Sequence, residues 1–138
     1  MPDTPTLDAA LLALRPSVDA APAQPGPDEL LHGALRPILK LHNERLLALV
    51  ADFARDYRLP LASAAPADQQ RLLEELLRRN ARLQHTVAGL VTSLFTAAEY
   101  TEYRRHRPEV HRRLLELVRQ RVLGQTAAVV ALAAAAAP

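Results

Sequence analysis

Four residues combine chemistry-bearing side chains with places on or beside apolar helical faces: His42, Arg45, His111 and Arg121. His42 lies between Ile38, Leu46 and Leu49 on the apolar stripe of its segment, and His111 falls between Leu115 and Val118 on the face of a later one. Arg45 and Arg121 are close to the same faces, and Arg121 is in phase with Val110 and Leu114, where an apolar residue is expected. Imidazoles beside guanidiniums, partly withdrawn from water, would make a pocket for a small anion. The competing expectation is plainer. Each histidine is a core-edge imidazole satisfied by neighbouring groups, and Arg121 extends its head to water from near a helix end.

Other chemistries find little support. The chain has no cysteine, which excludes disulfides, thiolate metal sites and cysteine nucleophiles together. Ser17, Ser63 and Ser93 are the only serines, and none sits in a Gly-x-Ser-x-Gly elbow. The four glycines are scattered singly, so no loop is built to cradle a phosphate. Glu29 and His32 form a Glu-x-x-His unit of the kind used in di-iron bundles, but such sites need a second unit and two further inward glutamates, and no second unit exists. The sequence therefore points to no catalytic residue, no metal and no cofactor.

Arginine is abundant: sixteen arginines stand against the single Lys40, and seven lie between Arg104 and Arg121. A cationic surface would accept either residue, so this imbalance, alongside so much Ala and Pro, reads as nucleotide-composition bias. In the last helical segment Glu109 precedes Arg113 by four, Glu116 follows Arg112 by four, and Arg119 follows Glu116 by three, which are the spacings of surface ion pairs. That face reads as solvated and internally paired. Nucleic acid would call for unpaired cations along a stripe or aromatics free to stack, and both phenylalanines belong to apolar faces.

These residues must be positioned by helices. Leu and Ala each occur 26 times, Trp is absent and Gly is scarce, a composition that favours helix over strand. Residues 1–27 hold six of the eleven prolines and read as a flexible Pro-rich arm with a short helix in "LDAALLAL". A long helix is expected from an N-cap at Asp28 to about Arg58, kinked at Pro37 and ended by Pro60. "PADQQRLLEELLRRN" supplies another, with Leu72, Leu73, Leu76 and Leu77 on its apolar stripe. From Ala81 to Phe95 the apolar face is Leu83, Val87, Leu90, Val91, Leu94 and Phe95, while Thr86, Gly89 and Ser93 make a small back that invites a second neighbour. "FTAAEY" reads as a capping box of Thr96 and Glu99, with Phe95 and Tyr100 as a hydrophobic staple. Pro108 opens the last helix, which carries Val110, Leu114, Leu117, Val118 and Val122 and stops at Gly124.

The expectation is an all-α fold: a compact bundle of about five helices over residues 28–125, a mobile arm over 1–27 and an Ala-rich tail over 126–138. The tail is apolar over 13 residues, short of the roughly 20 that span a bilayer, and the N-terminus lacks the basic start of a signal peptide. A cytoplasmic protein with no membrane span follows. "LRPILKLHNERLLALVADFAR", Leu35 to Arg55, resembles the first helix of helical chorismate mutases in its Leu-Arg start and later arginine. It lacks the acidic residue after Leu-Arg and any lysine after Lys40, so no active-site residues are carried over. The resemblance implies a mutase-like enzyme that holds a small anion, the alternative in which His42, Arg45, His111 and Arg121 converge. A second alternative is weak nucleic-acid binding through the Arg-rich last helices. The leading expectation is an association module without enzymatic activity, pairing with itself or another protein, with Leu41 and Leu47 as outward leucines that a symmetric dimer would cover.

Overall fold

The computed structural model describes residues 6–18 and 30–135. Every regular element among them is helical: α1 (Leu7–Ala13), a π-helical turn (Leu31–Leu35), α2 (Arg36–Leu41), α3 (Asn43–Asp56), α4 (Pro66–Arg79), α5 (Ala81–Thr92), α6 (Ala97–Arg105), α7 (Arg107–Leu123) and α8 (Thr126–Ala135). The all-α class holds, but the described chain is cut into more and shorter helices than the five expected.

Proline chemistry explains the first of these cuts. Pro37 has no N–H for the carbonyl four residues back, and its ring crowds that carbonyl. The expected kink becomes a π-helical turn that ends just before Pro37, which sits in the first turn of α2 and is buried. A second break follows at His42, where the backbone leaves helical geometry and α3 begins afresh. The expected N-cap, Asp28, lies outside the described residues. The Ala-rich tail supplies the other unexpected element, because residues 126–135 continue as α8 after the turn at Gly124.

The chain forms two compact units, Met1–His42 with Ala88–Leu114, and Asn43–Val87 with Leu115–Pro138. The core of the first is built from Leu35, Ile38 and Leu39 of the π turn and α2, with Ala88, Val91, Phe95, Tyr103, Val110 and Leu114. Here α2 packs directly on the π turn. The core of the second is Leu46, Val50, Phe53 and Ala54 of α3, Leu73, Leu76 and Leu77 of α4, Leu83 and Val87, Val118 and Val122, and Val129 of α8, which packs on α3 and α4. Each fully buried Leu, Ile or Val stabilises its unit by roughly 1.5–3 kcal/mol relative to exposure, so these faces supply most of the driving force.

Two packing expectations are corrected. Thr86, Gly89 and Ser93, the small back of the Ala81–Phe95 segment, are exposed rather than covered by a second neighbour. Polar satisfaction is local there: the Thr86 hydroxyl donates to the Arg82 carbonyl at 2.7 Å and Ser93 to Leu90 at 2.9 Å. Leu47, expected to face outward, is buried at 5% exposure, whereas Leu41 is open at 38%.

The end of α3 carries a strain that the sequence did not announce. Arg58 N–H donates to Arg55 O and Leu59 N–H to Ala54 O, both at 2.9 Å, the two bonds of a Schellman stop. That geometry puts Arg58 at φ 54°, a left-handed conformation in which a Cβ is disfavoured. Replacing Arg58 with Gly should raise unfolding free energy by about 1 kcal/mol, measured by chemical denaturation. No change, or a loss, would mean that the arginine side chain compensates for its own backbone.

Candidate functional site

The most connected polar group in the first unit is Arg15, in the segment expected to be mobile. Its side chain is 8% exposed. Nη1 donates to Gly33 O at 2.9 Å and to Glu99 Oε2 at 2.7 Å, while Nη2 donates to Leu94 O at 3.0 Å and to Glu99 Oε1 at 2.5 Å. The origin of each acceptor is local. Gly33 carries the carbonyl four residues before Pro37, which has no N–H to offer it. Leu94 lies just past the end of α5. Glu99 is the third residue of α6 and already closes the capping box: its Oε1 accepts the Thr96 N–H at 2.8 Å, and the Thr96 hydroxyl accepts the Glu99 N–H at 3.3 Å.

The rest of the arm follows Arg15. Asp8 Oδ1 accepts the Ala97 N–H at 3.1 Å, taking a second exposed donor at the start of α6, and Lys40 Nζ donates to Ser17 O at 2.8 Å. Residues 6–18 are therefore docked. This corrects the expectation of a mobile arm for the part described; residues 1–5 and 19–27 lie outside it. The staple is corrected too. Phe95 is buried, but its ring meets Tyr103 edge-on at 5.9 Å, and Tyr100 stays 43% exposed.

Burial by itself pushes the Glu99 carboxyl up. The hydrogen bonds from Arg15, the Thr96 N–H, the charge of Arg15 and the Thr96 hydroxyl together outweigh burial, and its pKa lies below the ordinary glutamate value. A cavity of about 430 Å³ opens beside this pair, lined by Leu12, Leu30, Ala98 and Glu102 among others. Its second carboxylate is also engaged, since Glu102 faces His106 Nε2 at 3.1 Å and Arg105 at 3.5 Å. Arg15 and Glu99 hold the unit together and offer no free charge to a substrate.

The four candidate pocket residues fall in different units. His42, at the end of α2, and His111, on α7, belong to the first; both are half-buried and neither is without a partner. Arg45 and Arg121 belong to the second. Arg45 is exposed on α3 with no ion pair among the described residues. Arg121 is half-buried and donates from Nη1 to Asn43 Oδ1 at 3.1 Å. Asn43 and Gln125 complete that network: Asn43 Nδ2 donates to Gln125 Oε1 at 2.9 Å and Gln125 Nε2 returns a bond to Asn43 Oδ1 at 2.8 Å. An amide oxygen meets the in-phase arginine.

Two of the three spacings in the Arg-rich last helix are closed as ion pairs, whereas Arg112 makes none with Glu116 among the described residues. Arg113 meets Glu109 at 3.2 Å, and Arg119 meets Glu116 at 3.3 Å and, across to α4, Glu74 at 2.9 Å.

Sequence reasoning missed Arg15 altogether. One signal was available: Pro37 strands the Gly33 carbonyl, and a capping-box glutamate has oxygen lone pairs to spare. Neither pointed to Arg15, which is 18 residues from Gly33 and 84 from Glu99.

Fold and geometry define an all-α protein in which the polar clusters described are spent on structure, and no helix among the described residues is long and apolar enough to cross a membrane. No protein-family model, curated protein or solved structure matches the chain.

Arg15→Ala should destabilise the protein by roughly 3 kcal/mol, because it strands a carboxylate and two carbonyls, and Arg15→Lys should not restore it, lacking the two-pronged donor. The sign for pH follows from the depressed pKa of Glu99. Its contribution is present above the unfolded value of about 4.3 and is lost as pH falls through the lower folded value. Denaturation from pH 7 down to about 2.5 should show an acid-side loss in the native chain that is smaller in Glu99→Gln. Equal losses in both would remove Glu99 from that role.

Proposed function

We propose that the protein is an association module that pairs with a second copy of itself through α8. What carries this reading is the mismatch between the composition of α8 and its burial. "TAAVVALAAA" has no charged residue and no polar face beyond Thr126 at its start, yet Val129 is its only buried side chain. Helices that are apolar all round are normally enclosed. Val129 accounts for the face on α3 and α4. Ala128, Ala131, Leu132 and Ala135 are all exposed and recur at i, i+3, i+4 and i+7, the spacing of a helix-pairing seam.

Small side chains let two backbones approach closely, and a two-fold pairing of this stripe with its own copy would cover the same residues on both chains. The face carries no charge to select a charged partner, so like against like is its simplest complement. Leu41, 38% exposed, remains an outward leucine in the other unit; the buried Leu47 drops out of the association argument.

The measurement is sedimentation equilibrium across micromolar concentrations. A reversible dimer is expected. Ala128→Glu and Leu132→Glu should each shift it toward monomer, with helix content by circular dichroism unchanged, because both positions are exposed. A strictly monomeric native chain, or a dimer indifferent to both substitutions, would overturn the reading.

A further inference from the structure

The formal charge of +2 is unevenly placed. Residues 1–42 and 88–114 carry eight cations and eight carboxylates, whereas residues 43–87 and 115–138 carry nine arginines against seven carboxylates. Within that second unit Arg55, Arg71 and Arg119 face acids. Arg45 and Arg58 do not, and neither do Arg78, Arg79 and Arg82, which are the ones that adjoin in the chain. All three are exposed at the joint between α4 and α5, and among the described residues none has a carboxylate within ion-pair distance.

The joint is an ordered one. Asn80 ends α4 and accepts the Leu83 N–H at 3.0 Å, and Gln84 Nε2 donates to the carbonyls of Leu77 and Arg78, both at 2.9 Å. The first turn of α5 is thereby held against the last turn of α4, and the three guanidiniums are rooted within five residues. Arg78 and Arg79 have an internal explanation, since cations at a helix C-terminus complement its dipole. Arg82 has the opposite setting: it stands in the first turn of α5, which contains no acidic residue, at the end where the dipole disfavours a cation. No ion pair among the described residues balances it.

We infer that Arg78, Arg79 and Arg82 form a binding site for the phosphate backbone of a nucleic-acid strand. This is separate from the α8 seam and does not depend on it. Guanidinium forks match phosphate oxygens, and the three forks at this joint, none of them in an ion pair among the described residues, outnumber the two nearest carboxylates, Glu74 and Glu75 of α4, of which Glu74 already meets Arg119. No Phe, Tyr or Trp lies between Arg71 and Thr92, and the exposed His85 is the one ring there, so the contact rests on phosphates and is blind to sequence. An acidic protein segment is the rival occupant, and displacement by polyglutamate distinguishes it.

The probe is a fluorescently labelled oligothymidylate, titrated with the full chain by anisotropy across a salt series. Three phosphate contacts predict a slope of log affinity against log salt of about −2, at roughly 0.7 per contact. The Arg78→Gln/Arg79→Gln/Arg82→Gln variant should lose at least about tenfold in affinity at low salt and most of that slope. Arg82→Gln alone should lower the slope by about 0.7, while Arg104→Gln/Arg112→Gln, exposed arginines of the first unit, should leave both quantities unchanged. Unchanged helix content by circular dichroism confirms that the triple variant folds. Absence of binding at low salt, retention of binding by the triple variant, loss in the Arg104/Arg112 control, or equal displacement by polyglutamate would each overturn the assignment.

Discussion

One guanidinium decides how the first unit closes. Every short helix leaves backbone groups without partners, and a chain cut into many helices multiplies the problem. Arg15 answers three such places at once: the carbonyl stranded by Pro37, the carbonyl just past α5 and the carboxylate that caps α6. A charge that deep would be costly alone. It is tolerated because Glu99 neutralises it with both oxygens while still holding the Thr96 N–H. Capping and docking are therefore one interaction, and the arm, the π turn and the start of α6 depend on it together.

The second unit is organised differently. Its core is built mainly of Leu and Val side chains, with Phe53 and Ala54, from α3, α4, the start of α5, the end of α7 and α8. Its main internal polar cluster, Asn43 with Arg121 and Gln125, is neutral but for one guanidinium that meets an amide. Apolar burial is non-directional, which lets this unit accept an alanine-rich helix with a single anchoring valine. It also leaves that helix with more apolar surface than its own unit covers, and the association reading grows from that surplus.

Placement outweighs number where the arginines are concerned. In the last helix Arg113 meets Glu109, and Arg119 meets Glu116 and Glu74. Arg15 is inside, Arg121 is bonded to an amide, and Arg107 lies over the Tyr103 ring at 5.2 Å. A cation count cannot distinguish these fates, because the same residue type serves as latch, ion-pair partner and free surface charge. The joint at Asn80 carries three arginines with no ion pair among the described residues, although Glu74 and Glu75 lie one turn earlier in α4.

Local rules settled much of this protein in advance. The all-α class, the capping box at Thr96, the stop at Gly124, the Leu73/Leu76/Leu77 face and the Val110/Leu114/Val118/Val122 face follow from residue type and spacing within a few turns, where the interacting groups are covalent neighbours. The candidate pocket was another matter. Whether His42, Arg45, His111 and Arg121 face one another depends on how separate helices pack, and periodicity measures only the face of its own helix. The same limit hid the buried Leu47, the open back of α5 and the edge-on contact of Phe95 with Tyr103. Above all it hid Arg15, whose acceptors come from three breaks scattered along the chain. Which far-off donor fills a stranded acceptor is decided only when the packed helices bring the two within hydrogen-bonding distance, so tertiary structure alone turned a proline-flanked arginine into the centre of its unit.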